Sequence, residues 1–217
     1  MRSLNLGFGA NSPATILCLG AHSDDIEIGC GGTILRLAKE YPLVRFVWVV
    51  FSGQGVRIAE AQHAAILFAG AKIVGQPRVE GFKDGFMPFS GAEIKSVFEE
   101  LKQTVSPDVV FTHNRKDSHQ DHRLLAELTW NTFRDHLILE YEIPKYDGDL
   151  GQPSAFVAID SEVCEEKINN IMKAFSSQHG KKWFQPELFR SLMRLRGMEC
   201  NAPSGYAEAF YCRKFLL

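Results

Sequence analysis

The stretch AHSDDIEIGCGG, residues 21–32, sets His22, Asp24, Asp25 and Glu27 between an apolar run and three glycines. Glycines after a strand suit a phosphate, but adjacent carboxylates repel one, so the group they face is a cation, with a metal ion the first candidate. His22 and Asp25 stand three apart, a spacing that turns two side chains to one side of a tight turn or first helical turn. HNRKDSHQDH, residues 113–122, repeats the spacing with His119 and His122. Two imidazoles and one carboxylate leave an open position on Zn²⁺ for water, as catalytic zinc sites require. A lone HxxD is more often a helix cap or a surface turn; two such clusters at strand ends of one sheet favour the metal.

The elements that must position these residues are legible in the apolar pattern. Runs rich in β-branched and aromatic residues at 14–19, 44–51, 72–74 and 108–112 read as strands buried on both faces. Helical patterns at 32–40, 57–68, 91–104 and 120–134 alternate with them. That alternation predicts an α/β, Rossmann-like three-layer αβα sandwich with a mostly parallel sheet. Ligands in such sheets bind outside the carboxyl ends of the strands, where both clusters fall. Beyond residue 140 a Pro/Gly/Asp-rich loop leads to an expected strand at 154–159, helices at 161–175 and 186–196, and a last strand at 206–210.

At 217 residues the chain suits a single domain, 1–217, with residues 1–12 a short tail and 140–217 completing the substrate side. The composition is 45% hydrophobic and 23% charged with net charge −2, which gives no reason to expect nucleic acid or a membrane surface; a homo-oligomer is compatible with it. Five scattered cysteines without a CxxC spacing argue against a disulfide framework or zinc ribbon and point to a reducing cytoplasm. No secretory h-region and no run approaching a membrane span is present.

The two clusters resemble those of the PIG-L or LmbE-like zinc-dependent N-acetylglucosaminyl deacetylases. Ala21-His22-Ser23-Asp24-Asp25-Ile26-Glu27 is similar to the first motif of that family, His119-Gln120-Asp121-His122 to the second, and Arg57-Ile58-Ala59-Glu60 to an intervening RxxE. Ser23 stands where proline is usual, which removes no ligand. The resemblance implies that His22, Asp25 and His122 hold Zn²⁺, with Fe²⁺ as an alternative ion. It implies Asp24 as general base and His119 as the group that polarises the substrate carbonyl, oriented by Asp121. Zinc lowers the pKa of its bound water to about 7. A protonated His119 would stabilise the oxyanion, and Asp24 would return the proton to the leaving amine. The implied substrate is an N-acetylglucosamine-type sugar or its conjugate, selected by loops around 80–90 and 140–155.

Arg57 is read as a substrate contact, against the plain alternative of an ion pair with Glu60 on a solvated helix face. Asp84, in FKDGF, and Tyr206 and Glu208, in GYAEAF, are weaker candidates for the substrate side. His113 and Asp117 are candidates for holding a ligand imidazole in one tautomer. Two rival readings stand beside the deacetylase: a two-His-one-carboxylate iron enzyme, disfavoured by the alternating α/β pattern, and a non-catalytic sugar- or nucleotide-binding module, disfavoured by carboxylates ahead of the GCGG segment.

Overall fold

A computed structural model describes residues 8 and 12–216, so most of the expected tail lies outside the described residues. Seven strands form one sheet: β1 (Ala14–Gly20), β2 (Val44–Val50), β3 (Arg78–Val79), β4 (Val109–His113), β5 (Leu137–Tyr141), β6 (Ala155–Ile159) and β7 (Tyr206–Cys212). Their order is β3-β2-β1-β4-β5-β7-β6. β1 to β5 are mutually parallel, and only β7, between β5 and β6, runs antiparallel. The helices are α1 (Asp25–Glu40), α2 (Val56–Ala69), α3 (Gly91–Thr104), α4 (Gln120–Thr132), α5 (Ser161–Ala174) and α6 (Pro186–Cys200).

The sequence ATILCLG explains the three layers. Successive side chains of a strand point to opposite faces. Ile16 and Cys18 pack into the core beneath α1, α2 and α5, whereas Leu17 and Leu19 join the core beneath α3 and α4. The expected three-layer architecture is therefore present. The chain leaves β1 towards β2 on one side and receives β4 on the other, so the strand order reverses between these two neighbours. Both acid–histidine clusters follow those two strands.

Several expected elements differ. The helix expected at 32–40 begins at Asp25, because its glycines fill close contacts rather than breaking it. A Cβ on Gly29 would lie 2.2 Å from the Tyr141 ring, and one on Gly31 2.5 Å from Phe68. The helix pays for this with a kink at Cys30 (φ −142°, ψ 17°). No strand forms at 72–74; Ile73 makes one bridge to Phe46 before Gly75, at φ 69°, turns the chain, and β3 forms later at 78–79. The helix expected to reach 134 ends at Thr132, freeing LILEY for β5, a strand the sequence reading missed. Glu140 within that run is buried but bonded, accepting from the Arg115 N–H and the Trp130 indole.

Candidate metal centre and cavity

Three donor atoms converge at the carboxyl ends of β1 and β4. His22 Nδ1 lies 3.1 Å from His122 Nε2 and 3.3 Å from Asp25 Oδ2, and His122 Nε2 lies 3.5 Å from Asp25 Oδ2. Ligands at 2.0–2.2 Å around a tetrahedral zinc stand about 3.3 Å apart, so this trio fits one face of such an ion. The other ring nitrogen of each histidine is anchored. His122 Nδ1 is 2.9 Å from Asp117 Oδ2, while His22 Nε2 is 3.1 Å from Asp84 Oδ1 and 3.2 Å from Asp121 Oδ2. Donation of the anchored N–H to carboxylate leaves Nδ1 of His22 and Nε2 of His122 as the free lone pairs.

Electrostatics favour a cation here. Burial opposes charge on His22, but Asp25, Asp121 and Asp84 overcome it and hold its pKa well above the usual value. Burial likewise works to raise the Asp25 pKa, yet His122, His113 and His22 hold it well below the usual range. Asp24, its neighbour in sequence, moves the other way: burial and Asp25 raise its pKa against the pull of Arg57. Asp24 makes its ion pair with Arg57 Nη2, 2.9 Å from its Oδ1, rather than with the histidines.

His119 caps α4, its Nδ1 accepting the Asp121 N–H at 3.3 Å, so the ring proton sits on Nε2. The expectation of a protonated His119 needs correction: burial, then His122 and His22, lower its pKa, and a bound cation would push it further down. A neutral imidazole can still donate from Nε2. The expected part of Asp121 also changes. Its carboxylate accepts the Gly85 and Met87 N–H groups at 2.7 and 3.1 Å and faces His22; towards His119 it offers only its backbone N–H.

The donors open into a cavity of about 480 Å³ whose lining includes Asp24, Arg57, Asp84 and His119. Ile143–Tyr146 contribute from the expected loop after β5, and Gln178, Lys181 and Trp183 from a segment the sequence reading did not single out. Tyr206 is absent from this lining: it starts β7, at the far side of β5, and its ring packs 5.8 Å from the Arg194 guanidinium. Glu208 is also elsewhere, buried behind α1 against Lys167. The picture of Arg57 and Glu60 on a solvated face does not hold, because Glu60 is 6% exposed.

Of the secondary candidates, Asp117 holds the His122 ring, and His113 stacks on His122 at 3.9 Å with its Nε2 3.1 Å from Asp25 Oδ2. Lys145 was missed; it lies 2.9 Å from Asp117 Oδ2 and 2.7 Å from Asp149. No local motif marks a lysine in a loop as the partner of an aspartate on another one.

The chain is similar to known proteins along most of its length. The chain is 31% identical over 177 residues, 76% of its length and 92% of the relative's, to the uncharacterized deacetylase YaiS of Escherichia coli (strain K12). Among solved structures it resembles N,N'-diacetylchitobiose deacetylase from Pyrococcus horikoshii (TM-score 0.71, 22% identity, 96% of this chain and 88% of that one). It also resembles GalB, the 4-carboxy-2-hydroxymuconate hydratase of Pseudomonas putida KT2440 (TM-score 0.67, 18% identity, 94% and 98%), so the fold serves more than one reaction. The PIG-L model, described as GlcNAc-PI de-N-acetylase, matches residues 17–133, a span that includes both acid–histidine clusters and more than half of the chain. On that match and the 31% relative, the chain belongs to the PIG-L family.

Proposed function

We propose that this protein is a zinc-dependent N-deacetylase acting on an N-acetylglucosamine-type sugar or a conjugate of one. The observation that carries the reading is the donor trio of His22, Asp25 and His122, separated by 3.1 to 3.5 Å, with the Asp24 carboxylate and the His119 imidazole lining the same cavity. Membership of the PIG-L family and the deacetylase relatives support an N-acetyl amide as the substrate.

The ion, when bound, would supply Lewis acidity and an acidified water near neutral pH. Asp24 takes a proton from the attacking water, which its raised pKa favours. As oxygen attacks the acetyl carbon, negative charge grows on the amide oxygen. His119 donates Nε2–H to it, a contribution of about 3 kcal/mol for a donor of this kind. The C–N bond then breaks, Asp24 returns the proton to the amine nitrogen, and acetate and the free amino sugar leave. Arg57 and Asp84 are assigned to the substrate from their place on the cavity wall.

Purified protein should release acetate from at least one member of a panel of N-acetylated mono- and oligosaccharides and sugar conjugates, and a chelator should abolish the release until zinc is restored. Metal analysis of the same sample distinguishes zinc from Fe²⁺. A zinc-loaded protein that releases acetate from none of them would overturn the reading.

A further inference from the structure

Arg57 is held from two sides. Its Nη2 is 2.9 Å from Asp24 Oδ1 and its Nη1 2.9 Å from Glu60 Oε2, while the guanidinium lies 5.3 Å from the centre of the Phe175 ring. Gly55, at φ 55°, lets the chain enter α2 so that Arg57 falls in the first turn and Glu60 one turn on. Glu60 is anchored in turn. Its Oε1 accepts the Ser177 N–H at 2.7 Å and the Ser176 hydroxyl at 3.4 Å, and its Oε2 accepts the Ser177 hydroxyl at 2.7 Å. Burial works to raise the Glu60 pKa, but the Ser177 and Arg57 contacts bring it below the usual value, so the carboxylate stays charged opposite Arg57. Residues 176–178 form a single helical turn, and Gln178 of that turn lines the cavity. A continuous chain of polar contacts therefore runs from the cavity wall through Ser177, Glu60 and Arg57 to Asp24.

This arrangement supplies what the adjacent aspartates lack in sequence: a reason for one to stay off the donor trio. Asp24 and Asp25 are neighbours of equal chemistry, and a cation beside them attracts both. A guanidinium bonded to Asp24 Oδ1 occupies the oxygen that would otherwise turn towards the ion. An arginine side chain with several free torsions does this only if its other end is fixed.

We propose that Glu60 is a positioning residue, which fixes Arg57 and thereby keeps the Asp24 carboxylate free for proton transfer. The inference rests on the reading of Asp24 as general base. Glu60→Gln preserves shape and leaves an oxygen for the Ser177 N–H, but sets an amide NH₂ against Arg57. It should lower kcat at least tenfold without any loss of zinc affinity, as measured by chelator competition. If Glu60 acts through Arg57, the loss should vanish in an Arg57→Met background, where adding Glu60→Gln should change kcat less than twofold. Should Glu60→Gln fail to fold, Ser177→Ala, which removes one anchor of Glu60, should show a smaller loss of kcat that also vanishes in that background. Additive losses, or a loss of zinc in Glu60→Gln, would overturn the proposal, since a merely structural tie between α2 and the 176–178 turn would act independently of Arg57. A second measurement does not depend on the reaction. The Arg57 guanidinium should give resolved, slowly exchanging ¹⁵Nη signals in wild-type protein that coalesce in Glu60→Gln, or in Ser177→Ala; unchanged signals would refute the positioning role even if deacetylation fails for other reasons.

Discussion

Two aspartates in succession reach opposite fates within a few ångströms. Asp25 opens α1, its Oδ2 accepting the His22 N–H at 2.6 Å and facing three imidazoles, whereas Asp24 pairs with Arg57. Their substitutions should therefore fail differently. Asp24→Asn keeps shape but loses the basic oxygen, so bound zinc should remain while acetate release falls about 10²–10⁴-fold, the usual contribution of a general base. Asp25→Ala should lose the metal first and activity with it, because the ligand's share of binding energy goes with the carboxylate. Zinc content measured beside acetate release in both proteins tests this, and an Asp24→Asn protein that sheds zinc as readily as Asp25→Ala would contradict the division of roles. The residue types were legible in the sequence because metal and acid–base chemistry admit few side chains. Of the partners of Arg57, Glu60 was visible from its spacing, but the contact with Asp24 was not.

At the scale of elements, α1 opens at the site with Asp25 and is kinked further along, at Cys30. The kink at Cys30 frees backbone groups that a continuous helix would satisfy, and a buried ion pair takes them up. Lys167 Nζ donates to Ile28 O at 2.7 Å and lies 2.6 Å from Glu208 Oε1, while the two Glu208 oxygens accept the Gly32 and Thr33 N–H groups at 2.8 and 2.7 Å. Removing one partner leaves the other charge buried without its counterion. Lys167→Met should thus cost about 3–5 kcal/mol of stability, seen as a lower denaturant midpoint at unchanged slope. A loss within the ±0.5 kcal/mol usual for a surface substitution would show that the pair is not needed at the kink. Glu208 entered the sequence reading as a weak substrate-side candidate because a carboxylate in an edge-like strand looks solvent-facing. Its real partners come from α1 and α5, and no periodicity connects those segments to β7. The late start expected for α1 has a related cause: Gly29, Gly31 and Gly32 lower helix propensity, while Tyr141, Phe68 and Ile159 pack where their side chains would be.

In the molecule as a whole, the candidate metal centre lies where strand order reverses, and its donors come from the segments that follow two adjacent parallel strands, β1 and β4. An ion bound there favours the folded chain over the unfolded one by mass action. With free zinc at a hundredfold excess over Kd the gain is about 2.7 kcal/mol, on the order of 5–10 °C in Tm for a chain of this length. Thermal unfolding with zinc and with excess chelator should differ by that amount, and His122→Ala should show no difference; equal Tm values for wild-type protein in both conditions would argue against a tight site. The amino-acid sequence by itself determined the alternation of strands and helices, the three-layer sheet, the edge at which a site must lie, and the kinds of donor gathered there. Those features follow from period, propensity and short spacing, which neighbours in sequence record. Only the tertiary structure decided that β5 joins the sheet, that Tyr206 stands away from the cavity, that Gln178, Lys181 and Trp183 line it, and that Glu60, Arg57 and Asp24 form one chain. Each of these depends on which distant segments pack together, and packing between segments far apart in the chain leaves no regular spacing to read.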